Sequence, residues 1–553
     1  MQEREQDSAS ISRGKLVAGA ALGAGALLGV PGVASAARRS PSFNLGSHER
    51  RLSSKLAPGM YGGPTGFKGA ERYQYKLDTE EGRAISALRA LKKAGKAPDT
   101  LVVQTLDFAK PQFEKAFPKG ALSITSQFFK ETGIKIKFTV TTPADEYATN
   151  TRNASSRNSS FDAVTFAIEE TGDFAEAKLL RPLDDYVKKY KPMWSDPVLG
   201  FAGGVNTVNL FSKYNGRYYA VAFDNDTQPF YYRGDLMDDP NEQKAYADKY
   251  GQKLRPPETW DEHAQISAFF TRPDKQLFGD IATNAPFWCA VNWNERFVCS
   301  AAPNNLYFKP DGSANVNTPE GIRAFSELLR QLQYHEPGSL EKDWAAQYKV
   351  MGAGNGFMGP SFPNLTKIMP GNPAFDTANV GKDVRTGLMP GRVVGGKLVR
   401  RPVIFYNITY GVNAHVSANR QLAAYLFLQW AGSSKIYTWL TFNPGGYQDP
   451  HHKVSFTDPY VIASYKKTTT DAFKQIVPHT APPITIRGGS EYRTALSDQI
   501  QNVLTKQKTP EQAAKALQDA WDATTNRIGV AKQVQALKTL NASFPSVTDT
   551  PTK

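Results

Sequence analysis

The sequence predicts an α/β protein whose parallel sheet is interrupted and then resumed. Three observations carry this. Apolar and amphipathic runs alternate as strand, helix, strand, helix, strand between 101 and 168; the stretch 217–235 (RYYAVAFDNDTQPFYYRGD) sets two strand-like runs around the polar turn Asp224-Asn225-Asp226-Thr227; and beyond that stretch a second alternation begins. With 553 residues, 40% of them hydrophobic and 11% aromatic, the chain exceeds one ordinary core and is globular, so two or more packed units are expected.

In order along the chain, Arg13 and Lys15 precede a modestly apolar run, 16–30, and Ala34-Ser35-Ala36 has the small-x-small form of a signal-peptidase site. Residues 1–36 are therefore expected to be an export signal, with the twin-arginine and general secretory routes both open. No cysteine stands near the cleavage point, so a lipid anchor is not expected. The net charge of +14 survives processing, because Arg4, Arg13 and Lys15 balance Glu3, Glu5 and Asp7. Lys and Arg are scattered rather than striped and form no nucleic-acid signature, so a solvated basic surface is expected and no nucleic-acid partner. Residues 37–99 are rich in Arg, Gly, Pro and Ser, with one helix predicted over 80–93, and read as an exposed N-terminal extension over the main body.

The sheet begins with a buried strand at 101–106. A helix follows over 121–132, with Ile124, Phe128 and Phe129 on one face and Gly133 as its stop. Ile134, Ile136, Phe138 and Val140 alternate with polar residues at the strand period, a helix is predicted over 145–155, and 161–168 supplies a third strand. Right-handed crossovers then make the sheet parallel, and ligands of such sheets sit outside the carboxyl ends of the strands, here Asp107-Phe108 and Glu169-Glu170. Tyr214-Asn215-Gly216-Arg217 is a hairpin turn. Past the crossing, Thr259 caps a helix through Phe270, 278–283 is a strand, and Thr318-Pro319-Glu320 opens an amphipathic helix. A strand is predicted over 403–408, an amphipathic helix over 421–430, and a helix capped by Thr509 and stopped by Gly529, after which the tail, 530–553, is polar and flexible. Cys289 and Cys299 are the only cysteines; export favours a disulfide between them, and the sequence leaves that pairing open. They lack CxxC spacing, and His451-His452 has no spaced third ligand, so no metal and no cofactor are assigned.

Several stretches in this order resemble a known family: FFKETGIKI at 128–136, FDAV at 161–164, LRPLDD at 180–185, GRYYAV at 216–221, YYRGDL at 231–236 and PETWDE at 257–262, continued by 354–362, by GVNA at 411–414 and by the helix to Trp430. Together, over about 101–529, they resemble the extracellular solute-binding proteins of ABC transporters, in the group of the maltose-binding protein and other sugar and glycerol-phosphate receptors. The resemblance implies a two-lobed periplasmic-binding-protein fold with discontinuous lobes and a hinge. It places 100–222 and 385–455 in the first lobe, and 223–384 and 456–529 in the second. It also implies a monomer that delivers a sugar, oligosaccharide, polyol or glycerol phosphate to the transmembrane subunits of an ABC permease, in the periplasm or outside the cell, without chemistry of its own. The sequence departs from the family pattern in its long segment before Leu101 and in enlarged loops at 369–401 and 445–456.

A neutral sugar needs flat apolar faces for its C–H surface and paired acceptors for its hydroxyls. The residues placed to supply them are Asp107, Phe108, Glu169, Glu170, Asp224, Asn225, Trp288, Trp293, Phe362 and Tyr410, with Arg487 as the fork suited to an anionic ligand. Each has a plainer role open to it: Asp107, Glu169 and Glu170 as helix caps, Trp288 and Trp293 as core, Phe362 as a turn anchor, Arg487 as a surface charge. Two rival classes remain, a glycoside-acting enzyme using paired carboxylates such as Asp224 and Asp226, and an envelope-surface scaffold. Glu169 and Glu170 pair poorly unless the backbone turns, since neighbours on a strand face opposite ways. No GxSxG elbow, P-loop or HExxH motif is present.

Overall fold

The structure, a computed structural model, describes residues 54–299 and 306–544. The expected export signal lies outside them.

Two separate sheets form the frame. Strands β1 (Thr100–Leu106), β2 (Lys135–Thr141) and β3 (Ala163–Ala167) are parallel, as their crossover helices require. A short β4–β5 hairpin (Lys213–Tyr214 and Arg217–Tyr218) follows, its turn residues Asn215 and Gly216 holding φ of 49° and 74°, the positive pair a two-residue turn needs. Next come β6 (Val221–Ala222), β7 (Phe230–Arg233), β8 (Phe278–Asp280), β9 (Gly356–Pro360), β10 (Val384–Gly387), the β11–β12 hairpin (Arg392–Val394 and Lys397–Val399) and β13 (Ile408–Val412). The first sheet runs β2-β1-β3-β13-β6, with β13 antiparallel to both β3 and β6. The second runs β10-β7-β9-β8.

The chain leaves the first sheet after β6 and joins the second at β7, so residues 223–229 are the first crossing, where the polar turn placed it. The return comes later than expected. β10 pairs with β7, and Gly391 bridges Thr259, so the chain stays with the second sheet beyond residue 385. Residues 403–407, predicted as a strand, are the returning connection, and only 408–412 are ladder. The connections lie side by side: Gln228 donates its amide to Val403 O at 2.9 Å, Ala481 N donates to Pro402 O at 2.8 Å, and Thr227 and Thr480 share a hydroxyl bond of 3.1 Å.

The helix Ile124–Thr132 is capped by Ser123 and closed by Gly133 at φ 71°. Phe129 is 45% exposed, because it lies one residue, about 100° of helix, beyond the buried Phe128. Val140 is also exposed, since β2 is an edge strand. The helix Pro319–Gln331 starts from its Thr318 cap as predicted.

Two further expectations are corrected, and the open question of the cysteine pairing is answered. The described part of 37–99 is not an exposed extension: Tyr73, Tyr75, Ile85 and Leu88 are buried in the main core, and Glu80 accepts from Ser434 N at 2.8 Å. Phe67, Ala70 and Ala84 join them in that core, although the average composition of the segment is polar. The tail is helical from Val530 to Asn541 and buries Ala536, Leu537 and Leu540, an i, i+1, i+4 apolar stripe. Cys289 and Cys299 are free and buried. The helix Ala290–Val298 lies between them, and ten residues at ~1.5 Å rise hold them ~15 Å apart, beyond disulfide reach.

Candidate functional site

Where the two sheets meet, the chain places a set of half-buried rings above a floor of buried carboxylates. Phe108, at the carboxyl end of β1, packs edge-on to Tyr447 with centroids 5.0 Å apart. Trp344, which opens a helix leading into β9, meets the same tyrosine at 5.4 Å. Trp288 stands edge-on to Phe362 at 6.0 Å and to Tyr406 at 5.6 Å. Phe108, Tyr447, Trp344 and Trp288 are all only partly buried, and Asp107 beside them is exposed. Burial, with the Asp107 charge second, pushes the Tyr447 hydroxyl up to about 12.

Behind the rings, β3 ends in a 3₁₀ turn, Ile168–Glu170, which turns the backbone so that both neighbouring carboxylates face the same way. Glu170 Oε1 lies 3.4 Å from Arg493 Nη2, and Glu169 Oε1 lies 3.8 Å from Arg493 Nη1 while accepting from Tyr406 N at 3.1 Å. The Tyr406 hydroxyl donates to Glu146 Oε2 at 3.0 Å. Burial pushes Glu146 up to about 7 and Glu170 well above the carboxylate range.

The crossing adds a second cluster. Asp224 Oδ1 accepts from Asn225 N at 2.9 Å and from Asp449 N at 2.8 Å; Asp449 accepts from the Tyr465 hydroxyl at 2.6 Å and from Asn364 Nδ2 at 3.1 Å. Lys367 Nζ donates to the carbonyls of Thr441 (3.1 Å) and Gln448 (2.8 Å). Burial raises Asp224 and Asp226 well above their ordinary range and Asp449 to about 7, Lys367 opposing the rise at Asp449; it lowers Lys367 to about 8.

The structure thus brings Phe108, Trp288, Phe362, Glu169, Glu170 and Asp224 to the seam, with Asp107 at its edge. It does not bring the other candidates there as available groups. Trp293 is fully buried, stacked on Phe297 at 4.4 Å with its indole donating to Gly321 O, and belongs to the hydrophobic core. Tyr410 is packed between Phe113 and Phe223 in the same core, its hydroxyl paired with Thr105. Asn225 spends its side chain on Pro450 O and Thr227 Oγ1, fixing the crossing itself. Arg487 lies beside Glu176 at 3.9 Å and lines a different cavity, of about 360 Å³, with Tyr147, Asp173, Glu491 and Arg527. The sequence reading missed Tyr447, Asp449, Trp344, Tyr406, Glu146, Lys367 and Arg493. Tyr447 and Asp449 lie in the enlarged 445–456 loop, whose length was the available signal.

Two α/β lobes joined by neighbouring crossings, with aromatic rings and carboxylates at the seam, define a two-lobed solute-binding protein. Residues 110–437 match the family described as bacterial extracellular solute-binding protein, and the chain belongs to that family. Solved structures share the fold: an ABC transporter solute-binding protein from Agrobacterium radiobacter K84 in complex with ribitol (TM-score 0.61, 19% identity, covering 77% of this chain and 98% of that one), maltose-bound MalE3 of T. maritima (0.61, 16%, 77% and 99%) and an ABC transporter solute-binding protein from Agrobacterium vitis S4 with bound D-mannitol (0.60, 18%, 78% and 99%). Among the described residues no helix is long and apolar enough to cross a membrane.

Proposed function

We propose that this chain is the receptor of an ABC importer: it captures a carbohydrate-like solute between its lobes, hands it to the permease, and does no chemistry on it. The observation that carries this reading is the meeting of Phe108, from the end of β1, and Trp344, from the second-lobe helix before β9, on the single ring of Tyr447. Half-buried rings supplied from both sides offer flat faces that a sugar or polyol covers, and the solute then favours the closed state through contacts it makes to both lobes. The ribitol, mannitol and maltose held by proteins of the same fold support a neutral polyhydroxylated solute. Glu169 and Glu170, held beside Arg493, are placed to hydrogen-bond the hydroxyls of such a solute. The protein acts outside the cytoplasm as a monomer, exported by residues 1–36. A thermal-shift screen of polyols, mono- and oligosaccharides and glycerol phosphates tests the proposal. At least one raises the melting temperature, because binding only the folded state stabilises it; silence across the panel, or turnover of a glycoside, refutes it.

A further inference from the structure

We infer that Asp224, Asp226 and Asp449 form a binding site for one hard divalent cation of the calcium type, tying the first crossing to the loop after the helix Ser434–Thr441. Each residue offers an oxygen, and these oxygens all lie within 4.8 Å of one another. That span is about twice a calcium–oxygen distance of roughly 2.3–2.6 Å, so one ion reaches all three. The set is carboxylate only, a donor chemistry that selects hard ions over zinc or copper.

The state of Asp226 is a second and separate observation. Asp224 is held by two backbone amides and Asp449 by Tyr465 and Asn364, as expected of a pre-formed pair. Asp226 is 5% exposed, and no described residue donates to its carboxylate, which faces that pair. A buried polar group without a donor costs about 1–3 kcal/mol, more when charged, so its retention calls for a partner. The other charges facing it do not supply one. Glu169, from the end of β3, adds a further negative field at Asp226. Lys367 acts on Asp224 and Asp449 but directs protons to two carbonyls. A bound cation displaces the carboxyl protons, and the three ionised carboxylates against the one ammonium then carry two negative charges, which one divalent ion cancels. The inference does not depend on which solute the seam takes.

The test uses the full chain stripped with a chelator. Calcium is titrated in thermal-shift and terbium in luminescence assays, with potassium at matched ionic strength as control; Tyr465, hydrogen-bonded to Asp449, is placed to sensitise terbium. The expected result is a saturable rise in melting temperature, terbium emission displaced by calcium, and loss of both in Asp226→Asn. No response in the wild type, which would leave the cluster neutralised by shared protons, overturns the inference, as does an undiminished response in Asp226→Asn. Should that variant not fold, native mass spectrometry of the wild type decides: one calcium per chain supports the site, and none refutes it.

Discussion

Arg493 Nη2 lies 3.4 Å from Glu170 Oε1, so a guanidinium of the helix Gly489–Leu504 closes against the carboxyl end of β3. Because Nη1 also approaches Glu169, one cation serves two buried carboxylates across the seam. Removing one partner of a buried pair leaves the other uncompensated. Arg493→Met is therefore expected to lower stability by about 3–5 kcal/mol in urea unfolding, and adding Glu170→Gln to restore part of it. Equal or additive losses in the double variant contradict the pairing.

Trp344 and Trp293 separate binding from folding. Trp344 is partly buried against Tyr447, whereas Trp293 is wholly inside the hydrophobic core. Trp344→Ala is expected to weaken the solute at least about tenfold, the ~1.4 kcal/mol of one aromatic contact, with little loss of stability. Trp293→Ala is expected to cost about 3–5 kcal/mol of stability. Calorimetric titration and denaturant unfolding of both variants check the contrast.

Glu146 gives a pH signature. Its carboxyl is buried, raised to about 7, and accepts one hydroxyl from Tyr406. A raised carboxyl binds its proton more tightly in the folded state, so its contribution is full below the unfolded value of about 4.3 and is lost as pH rises through about 7. Relative to wild type, Glu146→Gln should gain about 1.4 kcal/mol per pH unit across that window, up to about 4 kcal/mol in all. A stability difference that does not change between pH 5 and 7 contradicts the assignment.

The frame was legible because local pattern decides it. Alternation at 134–140 makes β2, Ser123 and Gly133 bound a helix, and the Asp and Asn of 224–227 break the strand run at the first crossing. What was not legible depends on residues far apart in sequence. Tyr75 lies in the core beside Trp430, which donates to its hydroxyl, Asp449 reaches Asp224 across 225 positions, and Arg493 meets Glu170 across 323. Glu169 and Glu170 converge because the backbone turns at Ile168, a change that strand periodicity does not encode. Trp293 and Tyr410 failed as candidates for the converse reason: residue type suggested a sugar face, and only packing shows their surfaces already covered.

The most direct test of the receptor reading is calorimetric titration of the full chain with ribitol, mannitol, maltose and longer oligosaccharides, followed by chromatography of the recovered solute. Saturable binding of at least one of them, and its recovery unchanged, is the expected result. Absence of heat across the series, or recovery of cleaved product, would contradict it.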